Sequence, residues 1–417
     1  MNEATITRYK RCSKEYRQYL SAVINDYNSN GKKTVLLTCD AYFPVVDGVV
    51  NVIDNYAKEL SNLMNVMLLV PEFKGEVYMN GYPCIGVKSG YSKKLQNQVP
   101  LPKLGSDHNF YLEKLRIDLI HCHSPFTIGR IALQLHKKRK IPLISTFHSQ
   151  YKRDFERQAK PLTPFLLDYI LKTYQNSDEV WTMHSASRDT LLSYGYEGDI
   201  VLMPNATSLL PSADYEAERN IARLKYLKGE DKLLFIFVGR LVATKNILFI
   251  VDVLAQLKRR GLQFKMIFAG DGPDKSSLVR KIEKENLADE IMLLGQVERT
   301  EIAQIYAAAD LLLFPSMYDV SSLVQIESAS RYTPTVFAEG SVTSCTVTNG
   351  VNGYIFPCDA SKFADGVYEA VSDPATLRKI SANAYNDLYV NWRQIIERVY
   401  ERYVALMRDK ENEKNEI

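Results

Sequence analysis

Short, unbroken runs of apolar residues recur along most of the chain, and the segments between them carry apolar residues at helical spacing. Runs this short, without polar alternation, are typical of strands buried on both faces of a parallel sheet. We predict such strands at 34–38, 66–70, 119–123, 143–148, 179–183 and 200–203, and again at 233–238, 264–269, 291–294, 311–314, 335–337 and 353–356. Their alternation with helices predicts an α/β fold of two doubly wound domains.

A polar stretch, 205–232, separates the two series of strands. We therefore predict an N-terminal domain over 33–205 and a C-terminal domain over 206–377, joined by a linker around 205–215. Residues 1–32 are predicted to form a helical arm. Our preferred interpretation packs this arm on its own domain, and the alternative lays it on a membrane surface.

Composition narrows the class of protein. The chain has 417 residues, of which 46% are hydrophobic and 24% charged, which suits a soluble globular protein. No apolar run approaches the roughly 18 residues that span a bilayer, and the N-terminus lacks the apolar core of a secretory signal. The six cysteines show neither a CxxC pair nor metal-ligand spacing, which favours reduced thiols in a cytoplasmic protein.

Positive charge is concentrated in two segments of the first half. Residues 137–160 carry eight cations and two acids, and residues 88–103 carry four cations and no acid. These segments could face an anionic membrane or acceptor, or they could be ordinary solvated lysines. No recognised nucleic-acid-binding module accompanies the charge, so we expect no nucleic-acid partner.

Two cations follow the predicted strand 233–238. Arg240 lies just past its carboxyl end, where open α/β sheets bind ligands, and Lys245 lies near the start of the next helix. A guanidinium and an ammonium beside a helix N-terminus suit a diphosphate. The alternative is a pair of surface cations with carboxylate partners, and the carboxylates downstream favour the first interpretation.

Those carboxylates, Asp319 and Glu327, follow the predicted strand 311–314. Between them a helix is predicted to begin, and the N–H groups of Ser322 and Leu323 could bind phosphate there. Glu327 lies one to two turns further, where a carboxylate could accept hydrogen bonds from the paired hydroxyls of a ribose. The pattern suits a nucleotide sugar better than the acid/base pair of a hydrolase.

Three histidines, His121, His123 and His148, lie at or near the carboxyl ends of predicted strands. Any one of them could be a packed structural residue, and at least one could belong to the site. The His-x-His spacing could suggest a metal, but only Cys122 stands nearby as a further ligand, and the chain contains no Asp-x-Asp. We therefore expect neither a metal nor a cofactor.

Glycines mark two strand-to-helix turns. Gly48 in the first turn permits close approach of a ligand to the backbone, but a single glycine is not GxGxxG, so no dinucleotide site is predicted. The run 270–273 follows a strand of the second series, and a tight turn explains it sufficiently.

In combination and in this order, the motifs resemble the retaining glycosyltransferases of family four, whose GT-B fold has two Rossmann-like domains facing a cleft. The resemblance covers the chain from about residue 33. The motifs that carry it are Asp47-Gly48, His121-Cys-His123, Thr146-Phe-His148, Gly239-Arg240 with Lys245, Gly270-Asp-Gly-Pro273, Gly295-Gln-Val297, Asp319 with Glu327, and Asn352-Gly353.

This chain departs from the family pattern at three places. Asp319 stands where glutamate is usual, Tyr332 where glycine is expected, and Val320-Ser-Ser where Phe-Gly is expected. The departures make the donor sugar uncertain rather than the fold.

The resemblance implies a role for each matching residue at the donor. Gly48 approaches the diphosphate, and Arg240 and Lys245 bind it. His123 lies beside the transferred sugar and matters for catalysis, and Asp319 contacts the hexose. Glu327 binds the ribose, and the backbone near Val297 lies by the base. The acceptor side would lie in the first domain, with His148, Tyr151 and Lys152 as candidates. Helices at about 378–407 would return to complete that domain.

We therefore predict a retaining, metal-independent hexosyltransferase that uses a nucleotide sugar, with a UDP-sugar favoured. The expected acceptor is a lipid, glycan or surface polymer of a bacterial cell envelope, and the expected location is cytoplasmic, with peripheral association at the inner face of the membrane as an extension. A non-catalytic accessory subunit of a partner transferase and a sugar phosphorylase are the alternatives. The sequence leaves the donor sugar, the acceptor and the oligomeric state open.

Overall fold

The structure is a computed structural model that describes residues 6–45, 47–92, 97–104 and 107–415. The chain divides into two compact units. The first consists of Met1–Asn205 together with Trp392–Ile417, and the second consists of Ala206–Asn391. Within the described ranges, no helix combines the length and the apolar character that a membrane span requires.

Strands and helices alternate through the first unit, and the apolar runs form its buried strands. In chain order the elements are β1 (Thr7–Lys10), α1 (Lys14–Ser29), β2 (Thr34–Thr38), α2 (Gly48–Leu60), β3 (Asn65–Pro71), β4 (Glu76–Met79), β5 (Cys84–Val87), β6 (Ser89–Ser92), β7 (Asn97–Pro100), α3 (Asp107–Lys114), β8 (Leu119–Cys122), α4 (Thr127–Arg139), β9 (Leu143–Thr146), α5 (Tyr151–Ala159), α6 (Thr163–Gln175), β10 (Glu179–Thr182), α7 (Ser185–Ser193) and β11 (Ile200–Leu202). Short 3-10 turns lie at Pro102–Leu104 and Lys160–Leu162.

Seven of these strands form one parallel sheet in the order β11-β10-β9-β8-β2-β3-β5. Every residue of β2, β3 and β8 is buried, as expected for strands covered on both faces. Two antiparallel pairs, β1 with β4 and β6 with β7, lie outside this sheet.

The N-terminal arm packs on its own unit. Its helix, α1, buries Tyr16, Leu20 and Ile24. The Tyr16 hydroxyl donates to the carbonyl of Cys84 at 2.9 Å and accepts from the N–H of Gly86 at 2.8 Å, so it satisfies backbone groups of β5. A strand, β1, precedes the helix, which the helical interpretation of residues 1–32 did not include.

The second unit repeats the alternation. Its elements are α8 (Tyr215–Leu227), β12 (Leu233–Val238), α9 (Ile247–Arg259), β13 (Phe264–Ala269), α10 (Lys275–Lys284), β14 (Ile291–Gly295), α11 (Arg299–Ala308), β15 (Leu311–Phe314), α12 (Leu323–Ala329), β16 (Thr335–Ala338), β17 (Tyr354–Phe356), α13 (Ala360–Ser372) and α14 (Pro374–Leu388). Short 3-10 turns lie at Ala243–Lys245 and Val342–Thr346, and the final helix is α15 (Trp392–Asn415).

The six strands of the second unit form a parallel sheet in the order β14-β13-β12-β15-β16-β17. Two parallel sheets interleaved with helices confirm the predicted fold class. The C-terminal helices divide differently from the prediction. The sequence assigned about 378–407 to the first domain, whereas α14 packs within the second unit and α15 belongs to the first. A proline and a capping aspartate begin α14 directly after α13, which keeps it beside its neighbour.

Tyr332, where the resemblance leads to an expectation of glycine, has a left-handed backbone with a φ of 56°. It follows the end of α12, a position that glycine commonly occupies because it lacks a Cβ. The Tyr332 ring instead contributes packing. Its centroid lies 4.5 Å from that of Tyr215 and 4.4 Å from that of Tyr385, on which it stacks at 10°. Aromatic contacts therefore offset the backbone cost at this residue.

Replacing Tyr332 should separate these two effects. Tyr332→Ala removes the ring contacts and keeps an unfavourable left-handed backbone, whereas Tyr332→Gly removes the ring and relieves the backbone. We expect the glycine variant to exceed the alanine variant by about 1 kcal/mol in free energy of unfolding, measured by urea titration. An alanine variant as stable as the glycine variant would contradict the left-handed assignment.

Candidate functional site

The centre of the second sheet is the place where its strand order reverses. β13 and β14 lie on one side of β12, and β16 and β17 lie beyond β15, so the connections from β12 and β15 run in opposite directions. Ligands of open α/β sheets bind at the carboxyl ends of strands at such a point. Arg240 and Lys245 follow β12, and Asp319 follows β15, so the structure brings these predicted residues to one edge of the sheet.

Two glycines allow the loops at this edge to approach each other. A Cβ on Gly270 would lie 1.9 Å from the carbonyl oxygen of Gly239, and the φ angles of the two residues are +142° and +144°. Neither position accommodates a larger residue without a backbone shift. The Gly270 turn, which the sequence explained as a tight turn, therefore also has a packing role beside Arg240.

Lys245 and Asp319 form an ion pair between the ammonium and Oδ1 of the carboxylate. The Lys245 ammonium also lies 5.1 Å from the centroid of the Phe314 ring. Both side chains are mostly buried, with 18% of Lys245 and 17% of Asp319 exposed. The alternative interpretation of these cations was that they pair with carboxylates. Lys245 does have such a partner, and that partner, Asp319, is itself a predicted site residue.

The loops that carry this ion pair are held together by hydrogen bonds from side chains of one loop to backbone carbonyls of the other. The Asn246 side chain donates to the carbonyl of Pro315 at 2.8 Å, and the Ser316 hydroxyl donates to the carbonyl of Thr244 at 3.3 Å. Asn246 has a left-handed backbone, with a φ of 55°, and α9 begins directly after it. Lys245 therefore lies in the 3-10 turn that precedes the helix, while Arg240 is exposed at the start of the loop.

Glu327 lies on α12, the helix that follows Asp319 in the chain. Its carboxylate accepts a hydrogen bond from the Tyr306 hydroxyl of α11 at 3.1 Å. Burial raises the pKa of Glu327, and the positive charge of Arg299 and the bond from Tyr306 act in the opposite direction. The site thus contains a half-buried carboxylate with one fixed partner and acceptor capacity to spare.

The remaining predicted donor residues lie at the same edge with different surroundings. Ser322 precedes α12 and its buried hydroxyl has no hydrogen-bond partner among the described residues. Leu323 begins this helix, which is only seven residues long. Val297 follows β14 and packs against the hydrophobic core of the unit, so its backbone rather than its side chain is the part available to a ligand.

The first unit has its own reversal of strand order, between β2 and β8. His121 is the third residue of β8 and is completely buried. Its Nδ1 is 2.5 Å from the Tyr403 hydroxyl, and its Nε2 is 2.7 Å from the Thr146 hydroxyl. Both ring nitrogens are therefore occupied, so the structure gives His121 the role of a packed, hydrogen-bonded residue, which was the alternative to a place in the site.

His123 follows β8 and pairs with His148, with 3.1 Å between Nδ1 of His123 and Nε2 of His148. The edge of the Tyr56 ring lies against His123 at a centroid distance of 5.1 Å. Nε2 of His123 is buried and has no hydrogen-bond partner among the described residues. His123 therefore keeps a buried ring nitrogen without a partner among the described residues, at the edge of the sheet.

Burial keeps these rings neutral. It holds the pKa values of His121 and His123 well below the ordinary 6.5, and a positive charge on His148 would act in the same direction. Burial alone lowers the pKa of His148 to about 3. At neutral pH the pair of His123 and His148 therefore presents hydrogen-bonding groups without net charge.

The sequence interpretation missed a buried carboxylate at this edge. Asp40 follows β2, and its two oxygens accept from the Ser124 hydroxyl at 3.0 Å and from the N–H of Ile128 at 2.8 Å. Burial raises the pKa of Asp40 to about 6, although these bonds act against the rise. Asp40 thus fixes the residue after His123 and the start of α4. Its position after an apolar strand, the criterion applied to the histidines, was the available signal.

Gly48 begins α2, and Asp47 caps this helix by accepting from the N–H of Val50 at 2.8 Å. A Cβ built on Gly48 would meet no atom within 4 Å, so the backbone there faces open space. The glycine is therefore not required by neighbouring protein atoms, which agrees with room for a ligand at this turn.

The candidates for the acceptor side do not share one environment. His148 is part of the histidine pair described above, and Lys152 is exposed. Tyr151, a candidate for the acceptor side, is buried in a core cluster with its ring against Phe126 and Phe147, so little of it is exposed to an acceptor. The basic segment 88–103 lies partly outside the described residues.

Among the described residues, no group of three or more histidine, cysteine, aspartate or glutamate side chains is placed to hold a metal ion.

Two family descriptions match the chain. "Glycosyltransferase Family 4" matches residues 46–209, and "Glycosyl transferases group 1" matches residues 218–387. Between them they account for most of the chain, and each falls largely within one of the two units.

Curated relatives are similar over most of the chain. Alpha-monoglucosyldiacylglycerol synthase of Acholeplasma laidlawii is 23% identical over 389 residues, which are 90% of this chain and 97% of the relative. The Streptococcus pneumoniae enzyme of the same name is 24% identical over 72% of this chain and 70% of the relative. Among solved structures, HepE of Anabaena in complex with UDP and glucose has a TM-score of 0.70 at 17% identity, covering 88% of this chain and 98% of that one.

Acid should destabilise the protein through its neutral histidines. The unfolded chain protonates them below about pH 6.5 while the folded state does not, so stability is lost as the pH falls. Asp40 acts oppositely, because its raised pKa favours the folded state in acid. We expect the thermal midpoint to fall between about pH 7.5 and about pH 5.5, and to fall less in His148→Gln. Parallel pH profiles for the two proteins would contradict a neutral His148.

Proposed function

We propose that this chain, which belongs to the group 1 glycosyltransferases with the GT-B fold, transfers a hexose from a nucleotide sugar, with a UDP-sugar favoured, to a lipid or glycan acceptor. The observation that carries the proposal is the set of side chains at the reversal point of the second sheet. Arg240 and Lys245 follow one central strand, and Asp319 and Glu327 follow the other. Cations and carboxylates at one edge suit a ligand that carries both phosphates and hydroxyls.

In this proposal the second unit binds the donor. Arg240 and Lys245 bind the diphosphate, since an exposed guanidinium and a fixed ammonium can neutralise phosphate oxygens without a metal. The backbone N–H groups of Ser322 and Leu323 add donors to the same phosphates. Glu327 accepts hydrogen bonds from the ribose hydroxyls, because Tyr306 occupies only part of its acceptor capacity. The base lies by the backbone of Val297.

The first unit supplies the acceptor side. His123 has a buried, unpartnered Nε2 that can hydrogen-bond a sugar hydroxyl, and its neutral state avoids repulsion with a developing positive charge on the sugar. Gly48 begins a helix at an open turn, where backbone N–H groups can approach an anionic group. His148, which follows β9, and Lys152, in the first turn of α5, are the candidate acceptor contacts.

The chemical step is a substitution at the anomeric carbon. The bond from that carbon to the diphosphate oxygen breaks, and a bond to the acceptor oxygen forms. The acceptor proton passes to the leaving diphosphate oxygen, whose growing negative charge Arg240 and Lys245 stabilise. Departure and attack on the same sugar face retain the anomeric configuration. The name of the Acholeplasma laidlawii relative, which specifies an alpha-glucosyl lipid, supports both retention and a lipid acceptor.

Replacing Arg240 tests this assignment. Arg240→Ala should lower turnover of UDP-glucose by about 100-fold or more, because one missing donor at a developing charge costs that much in enzymes. The fold should survive, since Arg240 is exposed. Slow hydrolysis of the donor, which needs no acceptor, is the readout across a panel of UDP- and GDP-sugars.

Arg280→Ala is the matched control, because Arg280 is an exposed arginine of α10 in the same unit. Donor hydrolysis by Arg240→Ala at the rate of the unchanged protein would overturn the assignment of Arg240 to the donor site. Nucleotide binding without any donor turnover by the unchanged protein would favour the non-catalytic accessory subunit instead.

We also propose that the first unit binds the cytoplasmic face of an anionic membrane. Leu162, in the turn between α5 and α6, is 56% exposed, and Phe165, in the first turn of α6, is 68% exposed. Exposed cations precede this apolar tip along α5 and the following turn, at Lys152, Arg157 and Lys160. Apolar side chains beside cations suit insertion among anionic headgroups.

Flotation with vesicles tests this surface. The unchanged protein should float with phosphatidylcholine vesicles that contain about one third phosphatidylglycerol, and added salt should weaken binding. Leu162→Ser with Phe165→Ser should abolish flotation. The matched control replaces Ile221 and Leu224, which are similarly exposed on α8, and should float normally. Equal loss in both double variants would contradict the proposed surface.

A further inference from the structure

We infer that Asp319 is a positioning residue that holds the Lys245 ammonium for the donor diphosphate, and that it does not read the hydroxyls of the donor sugar. The inference deepens the proposed function and rests on it. It differs from the role that the family resemblance implies for Asp319, which is a contact to the hexose.

The contacts of Lys245 define a built position for its ammonium. Asp319 binds it through Oδ1, and the Phe314 ring lies 5.1 Å away, so an anion and an aromatic face both hold the charge. The bonds from Asn246 to Pro315 and from Ser316 to Thr244 keep the two loops together. The ammonium is therefore fixed at the reversal point of the sheet before a ligand arrives.

The charges explain why a carboxylate can stand beside an anion site. An ammonium has three N–H donors, and Asp319 accepts from one of them, so donors remain for phosphate oxygens. A carboxylate that faced a diphosphate directly would repel it, whereas one behind a lysine lowers the cost of burying the lysine charge. Asp319 would thus act on the phosphate only through Lys245.

The second oxygen of Asp319 is enclosed by protein atoms. Oδ2 is buried and has no hydrogen-bond partner among the described residues. A hydroxyl of an arriving hexose could reach this oxygen only after the side chain or its neighbours move. Glutamate, the usual residue of the family at this position, is longer by one methylene, which is about 1.5 Å of extra reach. The shorter aspartate fits a partner on the adjacent loop.

Calorimetric titration of a nucleotide with and without its sugar separates the two roles. If Asp319 positions Lys245, Asp319→Asn should weaken UDP and UDP-glucose by the same factor, on the order of tenfold. Asp319→Glu, which keeps the carboxylate, should restore most of both affinities. A variant that binds UDP normally and loses only UDP-glucose would overturn the inference, because Asp319 would then read the sugar.

A double-mutant cycle keeps the test independent of folding effects. If Asp319 acts through Lys245, Asp319→Asn should add no further loss of UDP affinity to Lys245→Met. Additive losses would also overturn the inference. Asp252→Asn is the matched control, since Asp252 pairs with Lys281 at 2.5 Å on helices of the same unit, and it should leave both affinities unchanged. If the unchanged protein binds neither UDP nor GDP, the proposed function is wrong, and this inference is wrong as well.

Discussion

The reversal of strand order in each parallel sheet is the constraint on which the proposed site depends. At β12 and β15, and again at β2 and β8, two neighbouring strands send their connections to opposite sides. No helix then covers the carboxyl ends of those two strands, which leaves room for a ligand beside the side chains that follow them. Polar groups can collect there at little cost to the core. The same groups in a strand interior would need buried partners.

The strands around the reversal points could be predicted because each is a short apolar run that local pattern reveals. All six strands of the second sheet were predicted, and β5 is the one strand of the first sheet that was missed. Its four residues include Gly86, whose added Cβ would lie 2.3 Å from a methyl of Val77. The glycine is present because β4 packs closely on β5, and nothing within the segment itself signals that contact.

Side-chain pairing could not be predicted, because it depends on the order of strands rather than on their presence. Lys245 and Asp319 were each chosen for a separate role toward a ligand, yet they bind each other across 74 positions of sequence. Tyr306 lies on a helix that carried no functional signal, and only the packing of α11 against α12 brings it to Glu327. Local pattern thus identified the candidate residues that the sheet brings to one edge, but their partners followed only from the assembled sheet.

The state of the histidines in the first unit depends on the far end of the chain. Tyr403 of α15 occupies Nδ1 of His121, and Trp392 at the start of the same helix packs against Tyr56, whose ring contacts both His121 and His123. α15 also lies along α2, the helix that begins at Gly48. Burial is the largest cause of the lowered pKa values of these rings, and the last helix contributes to the burial of His121 through Tyr403. A chemical property at the end of β8 therefore depends in part on packing by the last helix of the chain.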